Sequence, residues 1–192
     1  HRKRITAAAA VLVLVIGIGT TGVGGPKRIV EMVEQAVGDR QVSKVNSSKK
    51  SAKTIDNEAE EQAYQEIKDK LGFDPVKMLK ISGNMKYKYC EVDEDMQMAQ
   101  LVYKNGNANV SYVMSSSYYE ELIGVDLEDT ITDSYTLEKG KLKAKVMEYE
   151  LPESKKKRYS ATFEYQGVYY QLIGTIEKAD FEEILKNLHF PS

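Results

Sequence analysis

Tryptophan is absent from this chain, and cysteine, histidine, proline and phenylalanine are scarce: one Cys, two His, four Pro and four Phe in 192 residues. Each shortage removes a class of explanation. A single cysteine, Cys90, excludes an internal disulfide framework and any cysteine cluster around a metal, and it leaves no cysteine to carry a lipid after the hydrophobic run near the N-terminus. The histidines are His1 and His189, at opposite ends, so no His-based triad, two-His metal site or HExxH helix can be assembled. No GxxxxGK is present to cradle phosphate, and Ser115-Ser116-Ser117 lacks a GxSxG elbow and reads as a loop. The expectation is a protein with no catalytic residue, no metal site and no cofactor, hence not an enzyme.

What is present fits a globular protein. The chain is long enough for one ordinary domain plus appendages, and 42% hydrophobic with 29% charged residues argues against wholesale disorder. The net charge of −2 hides an asymmetry: through Thr54 there are 10 Lys and Arg against 3 Asp and Glu, which leaves 17 against 26 for Ile55–Ser192. An acidic domain repels phosphate backbones, so no nucleic-acid partner is expected, whereas the basic N-terminal portion suits a membrane surface.

Ile5–Gly25 carries no charge. A helix crosses a bilayer with about 20 predominantly apolar residues, so this run is a candidate N-terminal membrane anchor and the lipid bilayer a partner. Arg2, Lys3 and Arg4 before it, against Lys27 and Arg28 after it, favour a cytoplasmic N-terminus. A cleaved signal peptide is the alternative, with Thr20–Gly25 supplying small residues although Ala-x-Ala is absent; a buried core helix is a third. The first two export the remainder, so a single-pass cell-membrane protein with an extracytoplasmic C-terminal domain is expected. The opening His1, in place of Met, leads us to expect cytoplasmic sequence upstream.

Residues 26–54 read as a juxtamembrane amphipathic helix and a linker. Pro26 and Gly38 bracket a stripe of Ile29, Val30, Val33 and Val37, and Ser43–Lys53 is polar and without period. The domain proper is 55–192. Ile55, Ala59, Ala63, Ile67 and Leu71 recur every four residues, one face of a helix that stops at Gly72, with Glu58, Glu60 and Glu61 at its dipole-positive start. The period then becomes two, with Met85, Tyr87 and Tyr89 alternating with Lys86 and Lys88. Met96–Lys104 and Ala108–Ser115 face each other across Asn105-Gly106, the pair a type I′ hairpin prefers. Further strands are expected near Asp133–Glu138, Lys141–Leu151, Tyr159–Tyr165 and Val168–Ile176. Phe181, Ile184, Leu185 and Leu188 mark a final amphipathic helix, with Asp180 and Glu183 at capping-box spacing. The order helix, antiparallel meander, helix predicts an α+β fold: an N-terminal transmembrane helix, then an antiparallel sheet of about six strands with helices packed on one face.

Leu71-Gly72-Phe73, Gln100–Gly106, Glu128-Asp129 and above all the ending, Tyr165–Ile176 followed by Phe181–Leu188, resemble the domain of unknown function 4367 family. The resemblance covers roughly Leu71 to Phe190. It implies this fold and an exported, membrane-anchored location in Gram-positive bacteria, and it carries over no activity and no site residue. Some proteins built this way place such a domain outside a regulator of an extracytoplasmic-function sigma factor, so an anti-sigma-like envelope-signalling context is one expectation.

Acidic residues and tyrosines supply the remaining site candidates. Glu91–Asp95 begins like a calcium loop but lacks the central glycine and the distal glutamate, and it reads as a hairpin turn. Asp126, Glu128, Asp129 and Asp133 are expected in a solvated loop, where weak cation binding is the competing reading. Among 13 tyrosines, the pairs Tyr118-Tyr119 and Tyr169-Tyr170 must each send one ring to either face of an extended segment. Their exposed rings are the candidate ligand or partner surface; the alternative is that they are core, since without tryptophan tyrosine must supply volume. The leading expectation is a noncatalytic extracytoplasmic binding or sensing domain whose partner is an extracellular ligand or an envelope protein. The alternatives are an envelope structural module or a carrier for lipid or protein, and an uncharacterised hydrolase.

Overall fold

The computed structural model describes residues 56–79, 85–117, 130–151 and 154–192. The expected membrane run Ile5–Gly25, the helix at Pro26–Gly38 and the linker Ser43–Lys53 lie outside them. Among the described residues no helix is long and apolar enough to cross a membrane.

Helix α1 spans Asp56–Leu71. It ends where Gly72, at φ +75°, donates its N–H to the Lys68 carbonyl, a left-handed stop that glycine adopts without steric cost. Its buried face holds Ala63, Ile67 and Leu71, as the period of four predicts, but also Tyr64 and Glu60. Glu60, expected only as an acid at the dipole-positive helix start, is buried. It is sealed at the helix–sheet junction, where it accepts a hydrogen bond from the Tyr103 hydroxyl at 2.5 Å.

Nine strands follow in the described residues: β1 Lys77–Met78, β2 Met85–Asp93, β3 Met98–Asn105, β4 Ala108–Ser115, β5 Thr130–Lys139, β6 Leu142–Glu150, β7 Lys157–Tyr165, β8 Val168–Gly174 and β9 Leu188–His189. Helix α2, Lys178–Lys186, lies between the last two strands. The expected sheet of about six strands is a seven-stranded antiparallel sheet in the order β2-β3-β4-β8-β7-β6-β5, beside a two-stranded ribbon of β1 and β9. Nor is it a simple meander. Two runs of hairpins, β2-β3-β4 and β5-β6-β7-β8, join through β4 and β8 from Val110↔Gly174 to Ser115↔Tyr169. Only β1 and β9 are too short and too mixed in pattern to be seen in the sequence.

Local corrections share a physical cause: a single residue changes which way side chains point. Asn105 pairs with Ala108, so the β3–β4 loop is Gly106-Asn107 rather than Asn105-Gly106. Gly106 alone of the two has positive φ, the requirement of a type II′ turn and not a type I′ turn. The register shifts between Tyr87 and Tyr89, so Tyr89 leaves the alternation and is exposed while Cys90 turns to the core. Asp133, placed both at the end of the expected acidic loop and at the start of an expected strand, lies within β5. The expected capping box is not made: Glu177 is the N-cap, without a side-chain hydrogen bond. Leu188 belongs to β9, not to α2, because Asn187 already caps the helix.

Both described helices pack on the same face of the sheet. Phe181, Ile184 and Leu185 of α2 join Ala63, Tyr64 and Ile67 of α1 over Leu101, Tyr112, Val146, Ala161 and Leu172. Helix α1 lies over β2 and β3. Helix α2 sits toward the other end, where Phe181 meets the Tyr159 ring at 5.4 Å and Glu182 accepts from the Tyr135 hydroxyl at 2.9 Å. The β1–β9 ribbon links the segments that follow the two helices. It is anchored at Val76, whose N–H donates to the Tyr170 hydroxyl at 3.2 Å and whose carbonyl accepts from the Tyr112 hydroxyl at 2.9 Å. The opposite face is also buried at its centre, where Val102, Val113 and Ile173 sit among polar pairs: Gln100 donates to Ser111 at 2.7 Å and Gln171 to Ser160 at 3.1 Å.

The Leu185 side chain is buried on the core face of α2, so Leu185→Ala removes packed methyl groups and leaves a partial cavity, costing about 2–5 kcal/mol by denaturant titration. Lys186→Ala, on the exposed side, changes stability little. Tyr112→Phe strands the buried Val76 carbonyl and costs about 1–3 kcal/mol, while Tyr89→Phe, on a half-exposed ring, has no measurable effect. Equal losses for Tyr112→Phe and Tyr89→Phe would remove the Val76 anchor from the account.

Candidate functional site

The site candidates separate cleanly. Tyr118, Tyr119, Asp126, Glu128 and Asp129 lie outside the described residues. The other pair behaves as alternation requires on β8: Tyr170 points into the core at 1% exposure, and Tyr169 points to the opposite face and is half-buried. Tyr170 is thus structural, stacked on Phe163 at 4.9 Å and bonded to Val76, and its expected role as exposed surface does not hold. Tyr169 remains a surface ring.

Tyr169 lies at a break in the sheet. Strands β6 and β7 pair from Glu150↔Lys157 to Lys145↔Thr162. Beyond that point β6 runs on to Leu142 and β7 to Tyr165 outside the ladder. On the helix face of this end the C-terminal tail packs in, with Phe190 against Tyr165 at 5.0 Å and Phe163 at 6.0 Å. The Pro191 carbonyl accepts from the Tyr165 hydroxyl at 2.7 Å and from Lys141 Nζ at 3.0 Å. The gap between the strands is a groove of about 250 Å³. Its lining includes Thr136, Lys143, Lys145, Thr162, Glu164 and Tyr169.

Register explains the grouping. Thr136, Lys145, Thr162 and Gln171 sit side by side across four strands, and Tyr169 is opposite Glu164 one step along. Alternation puts all of these on the face away from the helices. Lys143 is tied to Glu138 at 3.2 Å, whereas no ion pair engages Lys145 among the described residues. The groove therefore offers an ammonium group, hydroxyls and a carboxylate beside the ring of Tyr169, with Phe163 and Tyr170 also in its lining. Lys145, Thr136 and Thr162 carry no motif; only pairing across distant strands gathers them, so reading single segments did not find them.

The remaining titratable groups point elsewhere. Burial pushes the Cys90 thiol up to about 12, with the nearby Glu66 and Glu91 carboxylates adding to the effect. A thiol held protonated is a poor nucleophile, so Cys90 is a packing residue. Of Glu91–Asp95, expected as a hairpin turn, Glu91, Val92 and Asp93 belong to β2; the β2–β3 turn runs over residues 94–97, and Asp93 accepts from the Met96 N–H at 3.0 Å. Among the described residues no three acidic, cysteine or histidine side chains gather as metal ligands. Lys157 at 2.9 Å holds the Glu148 carboxyl below its usual range and ties β6 to β7 at the closed end of the ladder.

An antiparallel α+β domain with a groove at a ladder break is the class this geometry defines. Residues 75–188, more than half of the chain, match the family model described as Domain of unknown function (DUF4367), and the chain belongs to that family. None of the curated proteins and none of the solved structures matches the chain.

Burial raises the phenols of Tyr64, Tyr103 and Tyr112 above their ordinary value, and that of Tyr170 to about 12. Unfolded tyrosines release their protons near pH 10.0, so above that pH the unfolded state binds fewer protons than the folded one. Stability is then unaffected by these groups below about pH 10 and falls as pH rises further. Absorbance at 295 nm and ellipticity, followed together, are expected to show phenolate formation coinciding with alkaline unfolding. Full phenolate absorbance from a still-folded domain would contradict the buried assignments.

Proposed function

We propose that this chain is a noncatalytic extracytoplasmic binding domain, held at the membrane by Ile5–Gly25, that takes its ligand in the groove between β6 and β7. The observation that carries the proposal is the gathering of Tyr169, Lys145, Thr136 and Thr162 where the ladder opens. A ring beside hydroxyls suits the apolar face and hydroxyl rim of a sugar, and the Lys145 ammonium suits an anionic substituent on it. The ligand class is thus an acidic glycan of the cell envelope. Support for the noncatalytic reading comes from the lining itself, which holds one carboxylate, Glu164, and no histidine, serine or cysteine. Hydrolysis of a glycan by paired carboxylates needs a second carboxylate beside it. The membrane tether and the groove suit a sensing role, in which occupancy outside is reported through the span to an envelope-signalling regulator.

Calorimetric titration of the full chain in detergent with a disaccharide containing N-acetylmuramic acid tests this. Lys145→Ala and Tyr169→Ala are each expected to weaken binding about tenfold, the scale of one lost charged hydrogen bond or stacked ring. Lys88→Ala, at the far edge of the sheet, leaves it unchanged. No binding by the unmodified chain, or equal binding by every variant, sinks the groove assignment.

A further inference from the structure

The two edges of the main sheet differ. On one, β2 is broken by a register shift between Tyr87 and Tyr89, carries Lys86 and Lys88, and lies under α1. These are the usual devices that block an edge from pairing. The other edge, β5, has β6 on one side and no strand on the other among the described residues. It is ten residues long, and eight of them are exposed. Its own shift lies at the start, between Ile131 and Asp133, and from Asp133 to Lys139 its register with β6 is unbroken.

That regular stretch, Asp133-Ser134-Tyr135-Thr136-Leu137-Glu138-Lys139, is complementary to itself. Antiparallel pairing about a two-fold axis at Thr136 sets Asp133 opposite Lys139, at both ends. It also sets Tyr135 opposite Leu137, Ser134 opposite Glu138, and Thr136 opposite its own copy. Directly opposed side chains on neighbouring strands are close enough for opposite charges and for aromatic–aliphatic pairs to stabilise the ladder. Moving the axis to Tyr135 puts Asp133 against Leu137 and Lys139 against Ile131, which loses both charge pairs. Pairing exchanges the contacts that Asp133 and Lys139 make within one chain for contacts between chains. Asp133 is 3.9 Å from Lys178 and accepts from the Ser134 N–H, and Lys139 donates to the Lys186 carbonyl, all at exposed positions.

We infer that β5 is a homodimerisation edge: a second copy of this chain pairs antiparallel with it about Thr136 and continues the sheet through both copies. The two-fold axis makes the contact isologous and closed, so pairing stops at two chains. Because Thr136 also lines the groove, the grooves of the two copies lie on either side of the axis.

Site-specific oxidation of the full chain in detergent tests this. Thr136→Cys is expected to form a disulfide-linked dimer under mild oxidation, while the parent chain, with only the inward-facing Cys90, and Lys88→Cys on the opposite edge do not. In the Thr136→Cys background, Asp133→Lys or Lys139→Asp alone sets like charges opposite each other and reduces the cross-linked fraction severalfold. The two changes together exchange the charges and restore it. Sedimentation of the unmodified chain gives the mass of a dimer. Cross-linking of Thr136→Cys no greater than that of Lys88→Cys, or a double exchange that cross-links no better than the single changes, overturns the inference. A dimer that sediments without either signature pairs through another surface, and the β5 assignment then fails.

Discussion

Every buried phenol in this domain needs a hydrogen-bond partner, and the structure is arranged around meeting that need. With no tryptophan and four phenylalanines, tyrosine supplies much of the core volume, and each ring brings a hydroxyl that is costly to bury alone. The hydroxyls are spent on joints between elements. Tyr64 on α1 accepts from the Met78 N–H of β1 at 2.9 Å, and Tyr103 on β3 donates to Glu60 on α1. Tyr112 and Tyr170, stacked 6.0 Å apart on adjacent strands, hold both backbone polar groups of Val76. Tyr135 reaches α2, and Tyr165 holds the C-terminal tail. Apolar rings alone would fill the same space without fixing where β1 and β9 lie.

The Val76 anchor also explains how two runs of hairpins form one domain. Tyr112 belongs to β4 and Tyr170 to β8, the strands at which the two runs meet. One residue, Val76, bonded to both, fastens the chain after α1 across that seam. The ribbon it begins then pairs with the segment after α2, so the helices at the two ends of the sheet are tied to each other through its middle. Farther along, the tail that leaves this ribbon places Phe190 at the end of β7, where the β6–β7 ladder stops and the groove opens.

Much of this was legible in the residues. A period of four located α1, a period of two located the long strands, and the apolar spacing of Phe181, Ile184 and Leu185 located α2, because these periods follow from helix and strand geometry. The core role of Tyr170 and the surface role of Tyr169 were fixed as a pair by alternation, although not which was which. The errors fell where one residue reverses the outcome. A bulge at Tyr87/Tyr89 turned Tyr89 outward, and a turn displaced by one residue changed its type at Gly106. Glu60, read only as an acid at the dipole-positive start of α1, was claimed by a tyrosine 43 residues away.

The sequence by itself determined the α+β class, the family, the shortage of histidine and cysteine that narrows the available chemistry, and the uncharged run Ile5–Gly25. Those properties are local or compositional. Tertiary structure alone decided the strand order, the β1–β9 ribbon, the bond partners of the buried phenols and the grouping of Thr136, Lys145, Thr162 and Tyr169. Each depends on which strands become neighbours, and a strand's pattern states which face it buries without naming the strand beside it.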